Sequence, residues 1–353
     1  MKGFMKNLKC LIIVVLFVSI SGCATLGLQE ASVSLQPKKT LRHLDAVSSL
    51  AFSPDGKFLA SGNVGSRVIL WEISNEKILS EFKFKGFFAS EVWNVIFSPD
   101  GRYLAAANNG NEIKVWEIST GKLINTFPSR KGLLIPPGGI RYTPDGKLLI
   151  IGNAWEKTIS LWEVSTGKLI YTVTHGGGRL PMGISISVSP DGKCFASGYG
   201  NFIKLWEVSS GNLVSTLTSS EKVLSLTFRP DGKYLVSGHE KGIINIWELD
   251  GNGKLITTAS IKGDGPRRVI DVIITPDGKY IVPFIEGVLF YTYIALVDFL
   301  TGEVIKTFRA GKVNAIALSP DGKFLATGYP GGNVNLWDVD ELIKVGLQGK
   351  IAQ

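Results

Sequence analysis

A Pro-Asp-Gly tripeptide occurs seven times, at Pro54, Pro99, Pro144, Pro190, Pro230, Pro276 and Pro320, at intervals of 40–46 residues. Each copy demands a turn. Pro presets φ, the Asp carboxylate bonds its own backbone, and Gly accepts positive φ without a Cβ clash. In register with it runs an aliphatic-Trp-acid triplet: Leu70-Trp71-Glu72, Val115-Trp116-Glu117, Leu161-Trp162-Glu163, Leu205-Trp206-Glu207, Ile246-Trp247-Glu248 and Leu336-Trp337-Asp338. The sixth unit carries Leu296-Val297-Asp298 at that place, with Val297 where the others have Trp. Two motifs interlocked over seven repeats make each unit one supersecondary structure that buries itself against its neighbours.

The first unit shows what that structure is. Val47–Phe52 alternates as a strand, Ser53-Pro54-Asp55-Gly56 turns the chain, and residues 57–61 return. Residues 68–73 and 78–82 supply a third and a fourth strand. A second turn recurs between those two, as Ser119-Thr120-Gly121-Lys122 and Ser165-Thr166-Gly167-Lys168. The sixth unit keeps it as Leu300-Thr301-Gly302-Glu303. Short strands joined by tight turns, with no helical period, imply antiparallel sheets. Arranged radially, such sheets bury their faces and leave no long edge bare. The expected fold is all-β: a seven-bladed β-propeller of four-stranded antiparallel blades over residues 37–339.

The pattern resembles the WD-repeat β-propeller family, whose namesake is the Trp-acid step closing the third strand. The resemblance implies a hydrogen-bonded His–Ser/Thr–Trp–Asp set within each blade. His43, Ser61 and Trp71 match three of its positions, but residues 63–66 offer no Asp. Ser197, Ser237 and Thr327 are kept without a matching His. Thr40-Leu41-Arg42 is similar to Thr307-Phe308-Arg309 at the end of the sixth unit's fourth strand. Residues 37–42 are therefore expected to complete the seventh blade, leaving 340–353 as a short helix or a tail.

Residues 1–22 read as an export signal. Lys2, Lys6 and Lys9 precede an apolar run from Cys10 to Ile20. That run is shorter than the ~20 apolar residues a membrane-spanning helix needs. It ends in Ile20-Ser21-Gly22-Cys23, which resembles the lipobox of bacterial lipoprotein precursors. The resemblance implies cleavage before Cys23, acylation of Cys23, and stable anchoring by more than one acyl chain. Residues 23–36 would be a tether of roughly 20 Å. Ala24 lacks the Asp that resembles an inner-membrane retention signal, so the outer membrane, its periplasmic side or the cell surface is the expected location. Cys10 leaves with the signal, and Cys194 alone cannot form an internal disulfide; it is expected in the core.

The net charge of +8 falls by three with the loss of Lys2, Lys6 and Lys9. The remaining lysines are scattered, many in turns, so no phosphate-binding stripe and no nucleic acid partner is expected. The three histidines, His43, His175 and His239, lie on different units, and no HExxH, GxSxG, phosphate-loop or CxxC pattern occurs. The expected protein has no catalytic residues, no metal and no cofactor. Channel-facing positions are mainly apolar or small. The resemblance implies that loops entering the first strands crowd one face around the channel. Counting five residues back from the residue before each Pro-Asp-Gly gives Ser48, Trp93, Gly138, Ile184, Leu224, Ile270 and Asn314 there. Loops of one face add residue types enriched at interfaces. The candidate partner-binding residues are Trp93, Trp155, Met182, Tyr199, Arg267, Arg268 and Tyr329. The function expected is a lipid-anchored, non-catalytic scaffold binding another envelope protein or a peptide segment. The alternative is a glycan or small-molecule site, or a hydrolase of the lactonase kind, in the channel, with Trp93 and Trp155 stacking on sugar faces.

Overall fold

A computed structural model describes residues 36–84, 91–110, 112–128, 139–154, 156–176, 183–250, 253–262, 267–287 and 291–344. These residues form seven four-stranded antiparallel sheets. The first sheet runs β2 (Val47–Phe52), β3 (Phe58–Asn63), β4 (Arg67–Glu72) and β5 (Lys77–Lys83) from the inside outward. The next five repeat that order. Their innermost strands are β6 (Val92–Phe97), β10 (Ile140–Tyr142), β14 (Ser185–Val188), β18 (Val223–Phe228) and β22 (Arg268–Ile274).

The seventh sheet is assembled from both ends of the described chain. It holds β26 (Ala315–Leu318), β27 (Phe324–Gly328), β28 (Asn333–Asp338) and, as its outer strand, β1 (Lys39–Arg42). Lys39 pairs with Leu336 and Arg42 with Asn333. The expected latch is present, and Leu41, only 2% exposed, fixes its register by entering the core. Residues 339–344 are helical, and Leu342 and Ile343 pack on the core between the sixth and seventh sheets.

Each of the seven apolar clusters draws on two neighbouring sheets, so the core is a ring of interfaces. Close approach is made possible by glycine in the second strand. A Cβ on Gly62 would lie 2.6 Å from Val92 Cγ1, and one on Gly328 would lie 2.5 Å from Val47 Cγ1. The tripeptide turns behave as their chemistry demands. Ser53 Oγ donates to Asp55 Oδ1 at 2.6 Å, the Lys57 N–H donates to the same oxygen at 3.1 Å, and Gly56 has φ 69°.

The innermost strands bulge at their entry. Pairing skips one residue between Val47 and Ser49, Val92 and Asn94, Val223 and Ser225, and Val269 and Asp271. The skipped residues are Ser48, Trp93, Leu224 and Ile270. A bulge bends its strand and re-aims the side chains that follow. This shapes the centre of the ring.

Candidate functional site

A cavity of about 200 Å³ lies where innermost strands of five sheets converge. Of the seven counted positions Ser48, Trp93, Ile270 and Asn314 line it, Ile184 and Leu224 do not, and Gly138 lies outside the described residues. The wall is mainly apolar or small, as expected, but it also carries two charges. Arg141 of β10 and Asp271 of β22 also face it, and sequence reasoning missed both. They stand two and four residues before the residue that precedes the tripeptide, positions that a strict alternation without bulges turns away from the axis.

The two charges come from opposite sides of the ring, and among the described residues the hydrogen bond of each stays on its own strand. Arg141 Nη1 donates to the Ile140 carbonyl at 2.9 Å, and Asp271 Oδ1 accepts the Val272 N–H at 2.9 Å. Burial pushes Asp271 up to about 6, against the pull of Arg141 and the Val272 N–H. Burial also lowers Arg141, against the attraction of Asp271. Asn94, 8% exposed, lines the same cavity, and its Oδ1 has no hydrogen-bond partner.

The described candidate contact residues have separate local surroundings. Among the described candidates Trp93 alone lines the cavity. Arg268 Nη1 pairs with Glu286 Oε2 at 2.8 Å, and the Arg267 guanidinium lies 4.4 Å from the Tyr293 ring centre. Both arginines are half-buried rather than free on the surface. Tyr329, also half-buried, accepts a hydrogen bond from Thr327 Oγ1 at 3.3 Å. Tyr199 is fully buried, with its ring 5.6 Å from His175 and Lys157 above it, so a partner cannot touch it directly. Its ring fills the space between two sheets, a role the sequence motif does not announce. Trp155, Met182 and Cys23 lie outside the described residues.

The histidines serve their own blades. Trp71 Nε1 donates to Ser61 Oγ at 2.7 Å, and the same hydroxyl bonds His43 Nε2. The missing Asp is replaced in part by Asp45, which accepts from Asn63 Nδ2 at 3.3 Å. Two further blades do have a His, contrary to the sequence reading. His239 Nε2 bonds Ser237 Oγ at 2.7 Å from within the same strand, and His175 Nε2 meets the Ser197 carbonyl at 3.2 Å. Burial lowers all three, His43 and His239 to about 4, so they are neutral near pH 7.

Other titratable groups are equally local. Cys194 is half-buried at a strand start rather than in the core, and burial raises its thiol above the usual range. Five lysines that follow the tripeptides pair with the tripeptide Asp at 3.4–4.0 Å. Such exposed pairs stabilise by at most ~1 kcal/mol, but they neutralise the turn face locally. Among the described residues, no group of three or more His, Cys, Asp or Glu could hold a metal ion.

Seven radial sheets, a latched ring and an axial cavity define a seven-bladed β-propeller. The WD domain, G-beta repeat model matches residues 35–72, 79–117, 167–207, 211–248 and 302–338, and the chain belongs to that family. Each matched stretch takes the outer strand of one blade and three strands of the next. No curated protein matches the chain. In the two unmatched repeats Ile151 stands at the Ser position of the third blade, and Pro283 and Val297 replace Ser and Trp in the sixth; the second blade has Ala106 at the Ser position and is still matched. WD-repeat propellers commonly serve as non-catalytic platforms that bind proteins or peptides.

Proposed function

We propose that this propeller is a lipid-anchored, non-catalytic scaffold of the bacterial cell envelope, holding another envelope protein or a peptide segment on its loop face. The observation that carries the reading is the disposition of its polar side chains. His43, His175 and His239 are each committed to their own blade, so no nucleophile, base and orienting group converge among the described residues. The ring meanwhile carries Trp93, Arg267, Arg268 and Tyr329 among its described residues, and the sequence adds Trp155 and Met182 as candidates. Aromatic residues and arginine are the side chains that dominate interface energetics.

Anchoring rests on the lipobox-like Ile20-Ser21-Gly22-Cys23 and places the protein at the outer membrane, on its periplasmic side or at the cell surface. Two measurements test the reading. A photo-reactive residue placed at Trp155 or Arg268 in living cells should give a discrete protein adduct; absence of any adduct from both positions overturns the scaffold. Intact-mass analysis should find acyl chains on Cys23, lost in Cys23→Ala, and an unacylated wild-type chain overturns the anchor.

A further inference from the structure

We infer that the axial cavity is a binding site for a small zwitterion, an amino-acid-like molecule whose carboxylate meets Arg141 and whose ammonium group meets Asp271. The inference is independent of the scaffold reading and concerns a different surface. It starts from a comparison among blades. At the position of Asp271, other blades carry Ser49, Asn94, Ser225 and Ala315; at that of Arg141 they carry Ala51, Ile96, Ile273 and Ala317. The fold therefore needs neither charge. One blade supplies a cation, another on the far side supplies an anion, and both open on the same space.

Taking an ion from water costs several kcal/mol unless an opposite charge and hydrogen bonds offset it. Here the two ions do not pair. Among the described residues each has one short bond to its own backbone neighbourhood, through Arg141 Nη1 and Asp271 Oδ1. The upward shift of Asp271 and the downward shift of Arg141 have the same origin, burial that their mutual attraction and the Val272 N–H offset only in part. A molecule carrying both charges offsets both penalties at once, whereas an anion or a cation alone offsets one and leaves the other.

Size and lining narrow the class. About 200 Å³ is the room of six or seven waters at ~30 Å³ each, too little for an oligosaccharide or a folded peptide. Trp93 and Phe284 give apolar walls, while Ser48, Asn314 and the unpartnered Asn94 give polar ones. That mixture of few polar groups among apolar surface is how small-molecule sites are built.

The test uses the detergent-solubilised full chain with glycine, 4-aminobutyrate and glycylglycine as zwitterions of increasing charge separation. Butyrate and butylamine serve as single-charge controls. Calorimetry should show saturable millimolar binding of at least one zwitterion, with the single-charge controls about tenfold weaker or worse. The isosteric Asp271→Asn and the uncharged Arg141→Met should each reduce that binding about tenfold, while Lys147→Ala in an exposed turn should leave it unchanged. Should Arg141→Met fail to fold, Asp271→Asn alone decides. The proposal is overturned by no binding across the three zwitterions, by butyrate binding as tightly, or by full affinity in Asp271→Asn. In those cases water alone bridges the two charges. Loss of zwitterion binding with retained cross-linking sinks this site and leaves the scaffold standing; the reverse result does the opposite.

Discussion

Ser237 accepts the Trp247 indole N–H at 2.7 Å and bonds His239 Nε2 at 2.7 Å, with all three residues buried. Removing the hydroxyl strands two polar groups that water cannot reach. Ser237→Ala should therefore destabilise by ~2–3 kcal/mol, read from a denaturant midpoint. In the sixth blade Pro283 and Val297 replace both partners of this bond, so that blade loses the bond without leaving an unsatisfied donor. The histidines add a pH dependence. His43 and His239 sit near 4 when folded against an ordinary value of 6.5, so the unfolded chain binds more protons between those limits. Their contribution is full above pH 6.5 and is lost as pH falls toward 4, by up to ~3 kcal/mol each. Asp271, raised to about 6, works the other way below that pH. The melting temperature should fall between pH 7.5 and 5, and the fall should be smaller in His239→Gln.

At the level of strands and turns, the tripeptide Asp residues were legible as turn formers because their chemistry is confined to four residues. The His partners of Ser197 and Ser237 were not, since one bonds through a backbone carbonyl and the other arises two residues along its own strand. The bulges were equally hidden. Nothing in Val47-Ser48-Ser49 says that Ser48 is skipped, yet one skipped residue decides which side chains face the axis. The count along the repeat that placed Trp93 has the opposite parity to Arg141 and Asp271, so it passed over both. The small second-strand residues had a meaning visible only in three dimensions. A valine at Gly62 would meet Ser49 Oγ and Val92 Cγ1 at 2.3 and 2.6 Å. Gly62→Val should cost ~1–3 kcal/mol by overpacking, and hydrogen exchange should quicken first at the interface of the first two blades.

For the whole molecule, blade number and the latch followed from counting repeats and from the likeness of residues 40–42 to 307–309. The contact face did not, because a propeller's loops are free of the repeat that makes its strands readable. The closing strand is the weakest seam. Leu41→Asp places a charge opposite Val334 in a buried position and should loosen the seventh blade, read as faster amide exchange in β26 to β28. That seam also dictates a schedule. Thr40 Oγ1 donates to Asn335 Oδ1 across 295 residues, so a chain delivered amino end first must keep a homeless strand in waiting until nearly all the rest has arrived. Bringing such distant ends together carries an entropic toll of about 5 kcal/mol, levied in one step. Stacked sheets would form an open crescent first, and the circle would shut only as synthesis or export finishes.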